Sequence, residues 1–152
     1  AAGLSLKEEN LDAFTQRFLK LAADEIIPEQ MTPQIDIDAV LDLQDINAKF
    51  MSELKKMNPF GPDNQKPVFC SLGVKDYGTS KLVGKDLEHI KLELIDDKSN
   101  TPIHGIAFGM HQHNTHIKNM KPFNICYTIE ENTYNGNTSI QLMIKDIKPD
   151  DI

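Results

Sequence analysis

Asn58-Pro59-Phe60-Gly61-Pro62-Asp63-Asn64, running straight into Gln65-Lys66-Pro67-Val68-Phe69, decides how this chain is divided. Three prolines lack a backbone N–H and fix φ, while Gly61 and Asn64 tolerate left-handed geometry. A helix cannot pass through such a stretch. The chain before it reads as helical and the chain after it as alternating strands, so the joint separates two architectures.

On the N-terminal side, Gly3–Leu6 reads as the end of a strand, and a helix follows from about Lys7, with Glu8 and Glu9 in a first turn that favours anions. Leu11, Phe14, Phe18, Leu21 and Ala22 recur at three- and four-residue steps, and Pro28 is expected to stop the helix. Gln34–Val40 alternates apolar and acidic residues and reads as a half-exposed strand. A second helix carries Leu43, Ile46, Phe50, Leu54 and Met57 on one stripe and ends at Pro59.

On the C-terminal side five strands are expected: Val68–Lys75, Glu88–Ile95, Pro102–Gly109, Phe123–Glu131 and Ser139–Ile147. Val68, Cys70, Leu72 and Val74 are read as one face of the first. Ile90, Leu92 and Leu94 face one way on the second, opposite His89, Lys91 and Glu93. On the last, Gln141 and Lys145 face outward. Asn135-Gly136 is a hairpin signal, and His111–Met120 reads as a short helix between the third and fourth strands. Three strands, a helix and two strands in roughly 80 residues suggest an OB-type barrel, with another antiparallel barrel or sandwich as the alternative. The fold class is therefore α+β: two N-terminal helices and a short strand, then a five-stranded OB-like antiparallel barrel.

The net charge is −7, unevenly placed. Residues 1–66 hold seven Lys/Arg against twelve Asp/Glu, whereas residues 67–149 hold nine of each and all five histidines. Overall acidity argues against a nucleic-acid binder, yet steering depends on distribution, and the neutral strand half leaves room for a local basic face. No apolar run approaches the length of a membrane span, and the start has no secretory signal. A beginning of Ala-Ala-Gly reads as a piece of something longer. Cys70 and Cys126 lie in strand-like apolar runs and read as reduced core thiols of a cytoplasmic protein.

Catalytic constellations are not found. Asp36 and Asp38 share a strand face, Asp96-Asp97 sits in a loop, and neither pair has the opposed geometry of an acid/base couple. His111, His113 and His116 offer three imidazoles in six residues; a polar solvated helix face is preferred to a metal pair at His113 and His116 because carboxylates and thiols at ligand spacing are missing. The positive signal is for single-stranded nucleic acid, which needs stacking planes and cations along the backbone. Lys75, Tyr77, Lys81 and Lys85 fall at the end of the first barrel strand and in the loop that follows. Lys91 lies on the outward face of the second strand, Lys145 on that of the last, and Tyr134 in the final hairpin. An ordinary Lys-rich hairpin and a turn-packing tyrosine are the bland reading of the same residues.

Pro59-Phe60-Gly61-Pro62 with Asn64, Pro67-Val68-Phe69, Ile106-Ala107-Phe108-Gly109, and the hairpin Glu131-Asn132, Tyr134, Asn135-Gly136, Ser139-Ile140-Gln141-Leu142, Lys145-Asp146-Ile147 resemble the C-terminal part of the RecJ family of bacterial single-stranded-DNA-specific exonucleases. Ala1-Ala2-Gly3 with Glu9-Asn10-Leu11 and Phe14 resembles the tail of that family's second conserved domain, whose signature Gly-Gly-His-x-x-Ala-Ala-Gly keeps only its last three positions here. The resemblance implies that residues 1–30 end a substrate-binding domain, 31–66 form a strand–helix linker and 67–149 an OB-like domain that helps form a single-strand channel. It also implies a parent enzyme acting 5′ to 3′ in DNA repair and recombination. Its Asp-His-His motif would hold Mn²⁺ or Mg²⁺ in a domain outside this sequence, so this chain alone is expected to be inactive. The expected partner is single-stranded DNA. The rival is a protein-docking module, with single-strand-binding protein as the partner to test.

Overall fold

The computed structural model describes residues 3–27 and 31–150. They fall into two compact units, 1–35 and 36–152. In the first unit the helix α1 (Leu11–Glu25) follows a 3-10 turn at Glu8–Asn10. Residues 3–7 are not a strand, which corrects the expectation for Gly3–Leu6. The apolar stripe is real: Phe14 and Phe18 stack with ring centroids 5.7 Å apart. None of the helix's side chains is buried. The helix has already ended at Glu25, with Ile26 extended; Pro28 lies outside the described residues.

In the second unit β1 is only Ala39–Val40, pairing parallel with the next strand, β2 (Phe69–Asp76). The longer strand expected over Gln34–Val40 is cut short at Asp38, whose backbone N–H donates to the Val68 carbonyl while its carboxylate accepts from the Val68 N–H. The helix α2 (Ala48–Lys55) begins later than the apolar stripe suggests. Asn47 caps it, its side-chain oxygen accepting from the N–H groups of Lys49 and Phe50, and Leu43–Asp45 is a separate 3-10 turn. Leu43, Ile46, Met51 and Leu54 are buried, while Met57 is exposed. In the joint, neither Gly61 nor Asn64 adopts a positive φ. They pair with each other instead, and the Asn64 amide donates to the carbonyls of Met57 and Pro59.

Seven strands form the sheet, two more than expected in the barrel itself. The others are β3 (Lys81–Val83), β4 (His89–Ile95), β5 (Ile103–Ala107), β6 (Phe123–Tyr134) and β7 (Asn137–Pro149). β1 is the short strand expected before the barrel, here joined to its sheet beside β2, and β3 is the addition, which turns the expected loop into a third strand on β4. The remaining five pair as β2–β6–β7–β5–β4, with β5 and β7 parallel, and a β4–β2 contact closes the ring. Closure is uneven. β6 and β7 share twelve residue pairs, but β2 and β4 share only Lys75↔Ile95 and Asp76↔Leu94. Between β5 and β6, a 3-10 turn at His111–His113 leads into α3 (Asn114–Lys118).

Alternation decides the interior. Ile90, Leu92 and Leu94 of β4, Ile125, Tyr127 and Ile129 of β6, and Leu142 and Ile144 of β7 all point inward, joined by Ile117 of α3. β2 breaks the pattern: Leu72 is 60% exposed, against expectation, while Ser71 and Val74 are buried. The reason is a bulge between Ser71 and Val74, where Gly73 takes φ +64°, a conformation that a side chain would strain. Ser71 thereby faces the core. Its hydroxyl donates to the Leu41 carbonyl and accepts from the Tyr127 hydroxyl, both at 2.7 Å. Burial pushes the Tyr127 phenol up to about 12. Cys70 and Cys126 sit opposite each other across β2–β6 as free thiols, and burial pushes the latter up to about 11.

Replacing Ser71 by Ala leaves the Tyr127 hydroxyl buried without an acceptor, an expected loss of about 1–3 kcal/mol in urea unfolding. The double variant Ser71→Ala/Tyr127→Phe should recover part of that loss. If the single and double variants lose equally, the hydroxyl pair is not what holds β2 to β6.

Candidate nucleic-acid interface

The same alternation that fills the barrel puts Lys81 on the outer surface of β3 and Lys91 on that of β4. They are directly opposite each other in the antiparallel register. Like charges in such a pair destabilise a sheet by a fraction of a kcal/mol, roughly 0.2–1. Neither is relieved: among the described residues Lys81, Lys85, Lys91 and Lys145 make no ion pair. Lys75, by contrast, is held by Asp97 at 3.1 Å.

The position of Lys81 depends on the turn before it. Asp76 ends β2 almost wholly buried, at 1% exposure. Its carboxylate accepts from the Ser80 N–H at 3.1 Å and faces the Lys118 ammonium at 3.4 Å. Burial pushes this carboxyl up, but hydrogen bonds from Ser80 and Gly78 and the nearby Lys118 charge outweigh it and hold the group below the usual range. Gly78, at φ +108°, lets the chain reverse. The Ser80 hydroxyl then accepts from the Glu93 N–H, and the Tyr77 N–H donates to the Glu93 carbonyl, so the turn is tied to β4 and delivers Lys81 opposite Lys91.

From Lys91 the outer surface continues across β5 and β7 to the end of the β6–β7 hairpin. An open trough of about 540 Å³ runs there, lined by Lys91, His104, Asn132, Tyr134, Ser139 and Gln141 among others. Register explains the grouping: Glu93 pairs with His104, His104 with Gln141, and Asn132 with Ser139. Asn135 and Gly136, at φ +50° and +79°, make the tight turn that the Asn-Gly dipeptide predicts, and Tyr134 stands beside it, 74% exposed. Carboxylates share this surface, and Glu130, opposite Gln141 in the β6–β7 register, is held by Lys66 at 2.6 Å. Glu93 accepts from the Thr79 hydroxyl and lies 3.6 Å from His104 Nδ1.

Of the seven residues read from the sequence, the structure brings Lys91 and Tyr134 into the trough and sets Lys81 directly beside Lys91. Tyr77 and Lys85 are exposed in the turns on either side of β3, and Lys145 is exposed farther along β7; these three do not line the trough. Lys75 is apart and ion-paired. Nothing in the sequence marks His104, Asn132 or Gln141 as a ligand. Alternation about Gly105 and Leu142 places His104 and Gln141 outward, but only the parallel β5–β7 pairing sets them side by side. The His111–His116 segment offers no ligand set: His116 Nε2 lies 3.2 Å from the Pro122 carbonyl with its ring against Phe123. Among the described residues no group of three or more His, Cys, Asp or Glu could hold a metal ion, and no helix is long and apolar enough to cross a membrane.

Residues 37–146 match the family model described as the RecJ OB domain. The chain is 26% identical over 151 residues to the single-stranded-DNA-specific exonuclease RecJ of Haemophilus influenzae, covering 99% of this chain and 26% of that protein. It is 26% identical over 149 residues to that of Escherichia coli, covering 98% and 25%. The crystal structure of RecJ in complex with Mn²⁺ from Thermus thermophilus superposes with a TM-score of 0.74 at 17% identity, over 99% of this chain and 21% of that one. The chain thus spans about a quarter of the length of these curated relatives. A barrel of OB connectivity, and a family match across nearly all of the second unit, show that the chain belongs to the RecJ OB domain family.

Proposed function

We propose that the barrel binds single-stranded DNA on its outer surface, and that it serves a longer, cytoplasmic, single-stranded-DNA exonuclease in DNA repair and recombination. In that parent, residues 1–30 would close a substrate-binding domain and residues 31–66 would link it to the barrel at 67–149. The observation that carries the reading is the Lys81–Lys91 pair: two unneutralised cations face each other on a chain of net charge −7, at the head of a polar trough bearing one exposed ring. Phosphates relieve the repulsion between the lysines, and the Tyr134 ring offers a base a stacking plane. Asn132, Ser139 and Gln141 present hydrogen-bonding groups without charge, suited to base edges and sugars.

The relatives named as exonucleases, and the RecJ structures solved with Mn²⁺ and with Mg²⁺, support a metal-dependent parent. The described residues do not fit such an ion, so no hydrolytic step is assigned to them. We infer that this chain by itself binds and does not cut.

Fluorescence anisotropy with a labelled oligothymidine tests the interface. Affinity should fall as salt rises, because each neutralised phosphate of a single strand releases condensed counterion, a slope of about −0.7 per contact in log–log form. Lys81→Ala/Lys91→Ala should flatten that slope by roughly 1.4. Affinity that is unchanged by salt, or equal for duplex and single strand, would sink the reading.

Tyr134→Ala should weaken binding by about 1–3 kcal/mol if the ring stacks a base. An unaltered isotherm would return Tyr134 to a turn-packing role.

The Asp76 carboxylate supports the interface from below. Asp76→Asn should lower stability at pH 7 by about 1.5–3 kcal/mol, the scale of hydrogen bonds to a charged group. Because the folded carboxyl titrates below its unfolded value of about 3.9, this stabilisation is complete above that value and lost as pH falls through the folded one. Urea unfolding at pH 7 and near pH 2 should therefore show a large difference between parent and variant that shrinks in acid. A difference that does not shrink would assign the loss to packing.

A further inference from the structure

A second exposed ring stands on the same outer surface as Tyr134, at its other end. Phe108 follows β5 directly and is 55% exposed. It is not loose: its ring meets the imidazole of His89 edge-to-face, at 4.9 Å and 80°. His89 is itself held at both nitrogens. Nδ1 accepts from the Gly109 N–H at 3.0 Å, which leaves the proton on Nε2, 3.2 Å from the Glu88 carboxylate. A large aromatic side chain left in solvent, yet fixed in orientation by a doubly anchored neighbour, is preorganised for a flat apolar ligand.

Register gives the order of groups along the strands. Phe108 lies two residues beyond Ile106, which pairs with Lys91, and Lys91 pairs in turn with Lys81. Two residues the other way on β5 is His104, paired with Gln141. Four residues back along β7 is Asn137, paired with Tyr134. The sequence across the surface is thus ring, cations, polar trough, ring. The two rings are about eight residues of strand rise apart, roughly 26 Å if the strands were straight. That length suits the 4–16 or so nucleotides that one OB fold covers.

We propose that Phe108 is a second base-stacking platform, so that one unpaired strand lies along the outer surface with one base on Phe108, another on Tyr134, and the intervening phosphates over Lys81 and Lys91. This rests on the single-strand reading above and adds the path and the far end of the site. Recognition at Phe108 is by ring face alone, so it is tolerant of base identity.

The test uses an oligothymidine of about twelve nucleotides, within the range one OB fold spans, carrying 2-aminopurine near one end or the other. With the unmodified chain, the probe near one end should change fluorescence on binding through Phe108. Phe108→Leu, which keeps an apolar side chain and removes the plane, should abolish that change and weaken binding by about five- to 150-fold. Phe108→Trp should retain both. If Phe108→Leu binds as tightly as the unmodified chain while Tyr134→Ala and Lys81→Ala/Lys91→Ala are weakened, the second platform is overturned and the interface stands. If none of the three is weakened, the interface itself is overturned and the platform with it. Should Phe108→Leu also lower the melting temperature, Phe108→Tyr decides: loss of affinity with the ring kept would overturn the proposal.

Discussion

A pleated strand in a closed barrel has one face inside and one outside, and nearly everything in this molecule follows from that constraint. On β4 the residues Ile90, Leu92 and Leu94 are wholly buried, so His89, Lys91 and Glu93 must look out. On β7, burying Leu142 and Ile144 turns Gln141 and Lys145 outward. The apolar interior supplies the driving force, and the polar surface is what remains once that interior is satisfied. A one-residue slip would exchange the two sets. The long β6–β7 ladder, with its Asn-Gly turn, holds the register most firmly, and the short β2–β4 seam holds it least.

Where the alternation fails, a polar device takes over. The Gly73 bulge turns Leu72 out and leaves Ser71 in, and the Ser71–Tyr127 hydroxyl pair joins β2 to β6 from inside while Ser71 also reaches the Leu41 carbonyl of the preceding segment. Asp76 does similar work at the seam, where two residue pairs are too few to close a barrel without help. Its buried carboxylate organises the Tyr77–Ser80 turn and so fixes where Lys81 emerges. The surface proposed for binding therefore depends on a buried acid that does not itself lie on it.

Charge is allocated in the same economical way. Most basic side chains around the helical segment and the joint are neutralised close at hand: Lys55 by Glu131, Lys56 by Glu53, Lys66 by Glu130, Lys98 by Asp42. The lysines of β3, β4 and β7 are not. On an acidic protein, a strip of unneutralised cations would favour a defined approach of a polyanion over diffuse adhesion.

The alternating runs, the Asn-Gly hairpin and the proline-rich joint were legible as OB-type architecture, because period-two patterning and turn chemistry are local properties of the chain. Legible too were the outward placement of Lys91 and the exposure of Tyr134, the first from its place between buried neighbours and the second from its place beside the turn. The bulge at Gly73, the strand at Lys81–Val83, the short seam and the late start of α2 at Asn47 were not, since each depends on what a residue meets across the sheet or at a helix end. For the same reason Lys75 and Lys91 could not be told apart in sequence: both are lysines on barrel strands, and only folding brings Asp97 to one and Lys81 to the other. The amino-acid order by itself determined which residues of β4, β6 and β7 face the core; the inward set of β2, and which outward residues stand together, were decided by the Gly73 bulge, the parallel pairing of β5 with β7 and the turn built on Asp76, contacts between segments too far apart in the chain for any local pattern to record.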